Sequence, residues 1–199
     1  MRLVLDWDGT VTERDTLDLV LQEFGDPEIY EHVESELEAG RMTLNDVIAA
    51  EFATVTVPLE EAVAFVVDRT RMRPGFAELA RTRRPLVVSS GFYELIEPVL
   101  EREGVLGRVE LRANRVEARP DGWRVQFRVA EICDECGEPC KRGDLPHGEV
   151  VFAGDSHSDY CASLAADRVF AVGRLARWLE GRGVRHEPLT DFHALASEL

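Results

Sequence analysis

The sequence predicts an α/β fold in which a parallel sheet carries helices on both faces. Short apolar runs, which are typical of buried strands, recur at residues 2–6, 86–88, 109–111, 149–153 and 168–172. Segments with helical periodicity separate most of these runs, and strands that are joined by helical crossovers pair in parallel. The 199 residues, of which 45% are hydrophobic, suffice for one main core with one small insertion.

The first predicted strand is followed by a stretch that is almost wholly helical in pattern. Gly25-Asp26-Pro27 breaks its first helix, and Thr43 begins a later one as a capping residue with Asp46 three positions on. A helical insertion therefore separates the first two strands. We divide the chain into a helical unit and a sheet unit, which comprise residues 13–73 and residues 1–12 with 74–199, respectively.

Beyond the second strand, strands and helices alternate with one interruption. Helices are predicted from Tyr93 to Glu103, around residues 175–180, and from Asp191 onward. The interruption is a β-hairpin over residues 115–129, in which apolar and polar residues alternate on both sides of the turn Pro120-Asp121-Gly122.

The charge balance restricts the partners that the chain can bind. Its 38 acidic and 23 basic residues give a net charge of -15, which argues against nucleic acid and against anionic membranes. Met1-Arg2 leads directly into the first strand, and no apolar stretch reaches membrane-spanning length. We expect a cytoplasmic protein, either a monomer or a homodimer, that binds a small molecule.

The first strand ends in a pair of acids, Asp6 and Asp8, followed by Gly9 and Thr10. Residues two apart in an extended segment share a face, and like charges that close are tolerated best around a cation. A glycine and a hydroxyl suit a loop whose backbone N–H groups approach an anion. The pattern indicates a divalent metal and a phosphate; the alternative is a polar turn that ends an ordinary strand.

Three later segments supply the other groups that phosphoryl chemistry needs. The second strand ends in Ser89-Ser90-Gly91, where a hydroxyl can hold a phosphate oxygen. The strand at 149–153 ends in Gly154-Asp155-Ser156-His157-Ser158-Asp159, which adds two acids four residues apart. Between them, Lys141 is the only lysine among the 23 lysines and arginines, and its compact charge suits a tight site better than a guanidinium does.

In order and in strand context, these four segments resemble the four signatures of the haloacid dehalogenase superfamily of phosphohydrolases, over residues 3–159. The resemblance implies a Rossmann-like core, with the helical insertion as a mobile cap over the site; a fixed helical layer is the alternative. It also implies a Mg2+-dependent phosphatase that acts on a small phosphate ester through an aspartyl phosphate.

The resemblance further implies a role for each site residue. Asp6 would be the nucleophile, and Asp8 the general acid and base. Magnesium would be held by the Asp6 carboxylate, the Asp8 backbone carbonyl and Asp155, and Asp159 would order that site. Substrate would be held by the phosphate-binding group Thr10, Ser89, Ser90, Gly91 and Lys141, and by Asp15 on the cap side.

Looser motifs resemble the phosphoserine-phosphatase-like branch, and most closely the methionine-salvage phosphatases that act on 2-hydroxy-3-keto-5-methylthiopentenyl 1-phosphate. These motifs are Thr12-Glu13-Arg14-Asp15, Met72-Arg73-Pro74-Gly75-Phe76, the segment from Cys133 to Lys141, and Thr190-Asp191-Phe192.

Two residues depart from the patterns of this branch. Glu51 stands near the position where phosphoserine phosphatases need a basic cap residue, and Ser90 stands where both enzyme types usually carry glycine. Phosphoserine phosphatase, phosphomutase and a non-catalytic phosphate-binding protein therefore stand as alternatives to the methionine-salvage activity.

Cys133, Cys136 and Cys140 crowd into the segment before Lys141, whereas Cys161 stands apart in the sequence. A Zn2+ site would need His147 or Cys161 as fourth ligand, and one Cys-x-x-Cys doublet is a weaker signal than two. A disulfide is a further alternative. The favoured interpretation is a shaped loop that delivers Lys141.

Overall fold

The computed structural model describes residues 1–129 and 131–199, which build one seven-stranded sheet with helices on both faces. The strand order is β4-β3-β2-β1-β5-β6-β7, and all neighbours pair in parallel except β3 and β4. The strands are β1 Arg2–Leu5, β2 Leu86–Phe92, β3 Glu110–Glu117, β4 Arg124–Gln126, β5 Val150–Gly154, β6 Arg168–Ala171 and β7 Glu187–Pro188. The predicted α/β class with a mainly parallel sheet is confirmed.

The central strand β1 lies between β2 and β5. Leu3, Val4 and Leu5 point alternately to the two faces of the sheet. All three are buried, because both faces of a parallel sheet are covered. Strand order reverses at β1, and ligands of open α/β sheets bind where the order reverses, beyond the carboxyl ends of the strands. The residues that follow β1 and β5 therefore meet at the edge where a ligand is expected.

Nine α-helices surround the sheet in the described part of the chain. The first five lie between β1 and β2, and four of these five belong to the helical insertion. Asp15 and Asp26 cap the first two of these with side-chain hydrogen bonds, and Thr43 and Asp46 form the predicted capping box of the third. The helices are α1 Thr16–Phe24, α2 Pro27–Glu38, α3 Leu44–Phe52, α4 Leu59–Arg69, α5 Phe76–Arg83, α6 Tyr93–Arg102, α7 Tyr160–Ser163, α8 Gly173–Gly181 and α9 Phe192–Ser197.

The chain enters and leaves the helical insertion side by side. An antiparallel bridge pairs Thr12 with Met72, and Glu13 N donates to Arg71 O at 2.9 Å. The insertion is thus connected to the sheet by a two-stranded neck, next to the boundaries at residues 13 and 73 that we drew from the sequence.

The insertion also packs on the sheet unit through aromatic side chains. The Phe52 ring of α3 meets the Phe92 ring edge-on at 4.7 Å and stacks on Trp123 at 6.0 Å. Trp123 Nε1 donates to the Val57 carbonyl at 2.9 Å, so the β3–β4 hairpin attaches to the insertion. Each such buried aromatic side chain contributes about 1.5–3 kcal/mol. These contacts hold α3 over the ligand-binding edge of the sheet.

Several elements differ from the sequence prediction. Strand β2 continues through Ser89, Ser90 and Gly91 to Phe92, whereas we predicted that it ends in this segment, because Phe92 still pairs with Asn114 of β3. Strand β3 is one continuous strand that serves both the parallel sheet and the hairpin, and β4 is shorter than predicted. Helix α5 and the two-residue β7 were not predicted, since neither has a strong apolar period. Along the described residues, no helix has the length and apolarity needed to cross a membrane.

Candidate active site

The acid that follows β1, Asp6, is buried at the centre of a charged network. Its backbone N–H donates to Ala153 O of β5 at 2.9 Å, which extends the strand pairing and fixes the side chain at the sheet edge. Lys141 Nζ donates to Asp6 and, at 2.8 Å, to Asp159. All three side chains are buried, so the ammonium group bridges two carboxylates out of contact with bulk water.

Lys141 reaches this position from a short helical turn, Lys141–Asp144, that directly follows the cysteine segment. Burial alone would lower its pKa, but the charges of Asp159 and Asp6 outweigh that effect and raise the pKa of Lys141 above its usual value. The lysine is therefore a permanent cation, as a group that binds phosphate oxygens must be.

The two acids after β5 have different partners. Asp159 Oδ2 accepts the backbone N–H groups of Asp155 and Ser156 at 2.9 and 3.2 Å, so this carboxylate holds the turn after β5 in place. A Cβ at Gly154 would lie 2.5 Å from Asp159 Oδ2, and only glycine allows this close approach. Asp155 Oδ1, in contrast, is buried and has no partner among the described residues.

Asp6, Asp155 and Asp159 offer oxygens that lie within 4.8 Å of one another. Burial and the neighbouring Asp159 charge raise the pKa of Asp6 well above its usual value, although Lys141 opposes this effect. The same two causes raise the pKa of Asp155 to about 7. One lysine does not compensate three clustered carboxylates, and the unpartnered Asp155 oxygen and this charge excess fit a hard divalent cation such as Mg2+.

Asp8 does not join this cluster, because Thr16 holds its side chain. Thr16 at the start of α1 donates its backbone N–H to Asp8 Oδ1 at 2.7 Å and its hydroxyl to the same oxygen. Burial raises the pKa of Asp8, while the two Thr16 hydrogen bonds oppose the shift. Our expectation that Asp8 offers a metal its backbone carbonyl rather than its carboxylate is compatible with this arrangement.

Arg73 holds the loop that follows Asp8, and sequence reasoning did not identify this arginine as a site residue. Its Nε donates to Thr10 O at 2.8 Å and its Nη2 to Gly9 O at 2.7 Å. Gly9 has φ +71°, and a Cβ there would lie 2.3 Å from Asp155 Oδ2. The only sequence signal was the Met72–Phe76 motif, which we used for family resemblance alone.

The predicted phosphate-binding residues occupy different depths. Ser89 is fully buried; its Oγ accepts the Gly91 N–H at 2.8 Å and lies 3.5 Å from Asp8 Oδ2. Thr10 is also fully buried, and its hydroxyl has no partner among the described residues. Ser90 is half-buried and lines the cavity described next.

A cavity of about 300 Å³ separates these residues from the helical insertion. The sheet unit contributes Asp6, Asp8, Ser90, Asp155 and Arg174 to its wall. The insertion contributes both acids and apolar side chains, which are Asp15, Asp18, Glu34, Glu51, Leu17, Leu21, Leu37, Leu44, Val47 and Ile48.

Asp15 and Glu51 are the acids on the insertion side for which the sequence suggested a role. Asp15 Oδ1 accepts the N–H groups of Leu17 and Asp18 at 2.8 and 3.1 Å, so this oxygen is engaged as the cap of α1. Glu51 is buried, its Oε1 has no partner among the described residues, and burial together with Glu34 and Asp18 raises its pKa to about 8. No pattern in the sequence indicated that burial.

The four cysteines form a second cluster beside this site. The Sγ atoms of Cys133, Cys136, Cys140 and Cys161 lie within 4.8 Å of one another, and Cys133 and Cys161 are 3.8 Å apart. Cys161 therefore joins the other three, although it stands apart in the sequence, and His147 is not the fourth member. Its position on α7, packed beside the Lys141 turn, explains the difference.

Comparison with known proteins places this geometry in context. The haloacid dehalogenase-like hydrolase family matches residues 3–163. Two proteins named 2-hydroxy-3-keto-5-methylthiopentenyl-1-phosphate phosphatase are similar along the chain. The one from Geobacillus kaustophilus is 29% identical and aligns over 96% of this chain and 91% of its own length. The one from Geobacillus thermodenitrificans is 27% identical over 99% and 94%.

Among solved structures, a phosphoserine phosphatase described as a phospho-aspartyl intermediate analogue superposes with a TM-score of 0.71. The match covers 99% of this chain and 97% of that one at 18% sequence identity. At this identity the match shows that the two proteins share a fold.

Proposed function

Because this chain belongs to the haloacid dehalogenase-like hydrolase family and is a phosphatase, we propose that it hydrolyses a small phosphate monoester through a phosphorylated Asp6. The observation that carries the proposal is the contact of Asp6 with the chain's only lysine, beside the acids Asp155 and Asp159. A nucleophilic carboxylate and the phosphate that approaches it are both negatively charged, so a fixed cation is needed to lower their repulsion. Lys141 provides this cation.

The carboxylates of Asp6 and Asp155 and the Asp8 carbonyl would hold Mg2+, while Asp159 orders the turn that carries Asp155. When bound, this ion neutralises negative charge on the phosphoryl oxygens and lowers the repulsion between these oxygens and Asp6. The charge excess of the carboxylate cluster supports this assignment.

Asp8 has the environment of a proton donor. Its burial and raised pKa favour the protonated form, in which it can donate a proton to the leaving oxygen. After the leaving group departs, the same carboxylate can accept a proton from the water that attacks the aspartyl phosphate. Thr16 keeps it oriented without pairing it with a cation.

The phosphate oxygens would be bound by Lys141 and by groups at the end of β2. The Ser89 hydroxyl lies near Asp8, and a Cβ at Gly91 would lie 3.0 Å from Asp8 Oδ2, so Gly91 leaves room at this point. The half-buried Ser90 borders the cavity, and the unpartnered Thr10 hydroxyl lies under the loop. These residues form our proposed phosphate-binding group.

We assign residues 13–73 the role of a cap domain that covers the site and selects the substrate. The two-stranded neck at Thr12 and Met72 is a narrow connection of the kind around which an inserted domain can move. Cap residues form one wall of the cavity, so a bound ester would be shielded from bulk water during phosphoryl transfer.

The cavity favours a substrate without a carboxylate. Its cap wall carries Asp18, Glu34 and Glu51 and, among the described lining residues, no basic side chain, so this wall offers no partner for the carboxylate of phosphoserine. The apolar side chains beside them suit a short alkyl or thioether group, and protonated acids can bond hydroxyl groups. The methionine-salvage enol phosphate, named in the relatives, has these features and is the first substrate that we propose.

The test is phosphate release with Mg2+ or with EDTA, across the methionine-salvage enol phosphate, phosphoserine, phosphocholine, pyridoxal phosphate and sugar phosphates. We expect metal-dependent release that is fastest with the enol phosphate and absent in Asp6→Asn. Asp191→Asn is the matched control, because Asp191 caps the remote helix α9 and asparagine caps equally well.

The substrate panel also distinguishes the alternatives. Preference for phosphoserine would overturn the substrate assignment and leave the mechanism intact. Isomerisation of a sugar phosphate without phosphate release would identify a phosphomutase. If no ester were turned over while Mg2+ still bound, the hydrolytic proposal would be wrong and a phosphate-binding role would replace it.

A further inference from the structure

The cysteine cluster is not explained by phosphate hydrolysis. It joins two separate parts of the chain: Cys133, Cys136 and Cys140 lie in the segment before Lys141, and Cys161 lies on α7. No helix or strand is formed between residues 131 and 140, so few backbone hydrogen bonds hold this segment. Four thiols that converge from two elements need a reason beyond packing.

The spacing of the sulfur atoms fits one tetrahedral metal ion. A zinc ion with Zn–S bonds of about 2.3 Å separates its sulfur ligands by about 3.8 Å. Cys133 and Cys161 are 3.8 Å apart, and all four Sγ atoms lie within 4.8 Å of one another. Only small adjustments would bring the four thiolates to equal distances from a common centre.

The backbone around the Cys133–Cys136 doublet is folded as a tight turn. Gly137 N donates to Cys133 O at 2.9 Å, Cys133 N donates to Glu138 O at 3.0 Å, and Gly137 has φ +76°. This turn holds Cys133 and Cys136 within the cluster of four sulfur atoms, and the thiolate is the form of cysteine that binds metal.

The proximity of the four sulfur atoms shows why a cation is needed to complete the cluster. Several thiolates cannot coexist at this distance without a positive charge between them, and zinc supplies that charge.

We propose that Cys133, Cys136, Cys140 and Cys161 bind one Zn2+ ion, at a site separate from the carboxylates around Asp6. The site has four protein ligands and no open position, which is the composition of a structural rather than a catalytic zinc centre. Soft thiolate ligands favour the borderline-soft zinc ion, whereas the oxygen-rich cluster at Asp6 favours the hard Mg2+ ion.

The proposed zinc site stabilises the position of Lys141. Cys140 directly precedes Lys141, and Cys161 lies two residues after Asp159, which accepts a hydrogen bond from Lys141. A zinc ion would therefore link both sides of the Lys141–Asp159 contact. Loss of zinc should loosen the cysteine segment and lower activity through the placement of Lys141.

The first test is metal content. Protein purified after expression with added zinc, then dialysed against EDTA and excess Mg2+, should retain about one zinc per chain. Titration of the thiols with a mercurial should release that zinc as all four cysteines react. Cobalt-substituted protein should show thiolate-to-cobalt charge-transfer absorption and tetrahedral d–d bands.

Cys136→Ser tests the ligand set, because Cys136 is exposed and its substitution removes little packing. We expect at least about a tenfold loss of retained zinc and faster hydrogen exchange over residues 131–140. Glu135→Gln, a neighbouring change in the same segment that removes no thiol, should retain zinc. Circular dichroism and thermal unfolding would verify that both variants fold.

Three results would overturn the proposal. These are a folded wild-type protein with no tightly held zinc, cobalt spectra without thiolate charge transfer, or a mass that shows disulfide formation under reducing purification. None of them bears on the proposed phosphatase chemistry, which is measured by Mg2+-dependent phosphate release and the Asp6→Asn variant.

Discussion

Replacing Lys141 by methionine should destabilise the protein strongly in the absence of metal. Methionine has similar length but no charge, so Asp6 and Asp159 would lose their shared cation inside the protein. Removing one member of a buried ion pair costs about 3–5 kcal/mol, because the remaining charge stays buried without a partner. For a protein of this size that corresponds to a fall in Tm of roughly 6–20 °C.

The loss of stability in Lys141→Met should depend on pH. Asp6 and Asp155 have raised pKa values, so they take up protons as the pH falls and then no longer need the lysine. The loss in Lys141→Met should therefore be small near pH 5 and largest near pH 8. Mg2+ replaces part of the missing charge and should raise the Tm of the variant more than that of the wild type.

Thermal unfolding in EDTA and in Mg2+, at both pH values, measures these effects. Arg119→Met is the matched control, because Arg119 pairs with Glu117 at the surface, where an ion pair contributes about 1 kcal/mol or less. If Lys141→Met unfolded within about 3 °C of the wild type in EDTA at pH 8, or if its loss did not change with pH, the buried charge network described above would be refuted.

Three further predictions concern single residues of the site. The pKa of Glu51 is raised to about 8, so the folded protein keeps a proton that the unfolded chain releases. The contribution of Glu51 to stability should therefore fall between about pH 5 and 8. At pH 8.5, urea unfolding should show that Glu51→Gln is more stable than the wild type by about 1–3 kcal/mol. Gly9→Ala should lower Tm by roughly 5–15 °C and weaken the Mg2+ binding that calorimetry measures, because the new Cβ would meet Asp155 and the φ angle of Gly9 is positive. Gly107→Ala, which has open space around it, should have neither effect. Asp8→Asn should lower kcat about 10²–10⁴-fold with little change in Tm, and a kcat near that of wild type would contradict its role in proton transfer.

The sequence was sufficient to predict the strands that position the acids. β1 and β5 are continuous apolar runs, and a buried parallel strand admits few other patterns. The end of β2 was not predicted, because Ser89, Ser90 and Gly91 have low strand propensity and are held in the strand by pairing with β3, which is distant in sequence.

The contacts that complete the site were equally hidden from sequence reasoning. Thr16 holds Asp8 and Arg73 holds Gly9 through hydrogen bonds that depend on how the insertion leaves and rejoins the sheet. Cys161 was set apart because linear spacing cannot show that α7 packs beside the Lys141 turn. In each case the residue type was visible, but its partner was determined by the tertiary fold.

The stereochemical course of hydrolysis shows whether phosphoryl transfer proceeds through Asp6. An ester made chiral at phosphorus with sulfur and oxygen isotopes is hydrolysed in isotopically labelled water, and the configuration of the released thiophosphate is determined. Attack by Asp6 followed by attack of water inverts the configuration at phosphorus twice, so we expect overall retention. Inversion would show direct attack by water and would contradict the covalent role of Asp6.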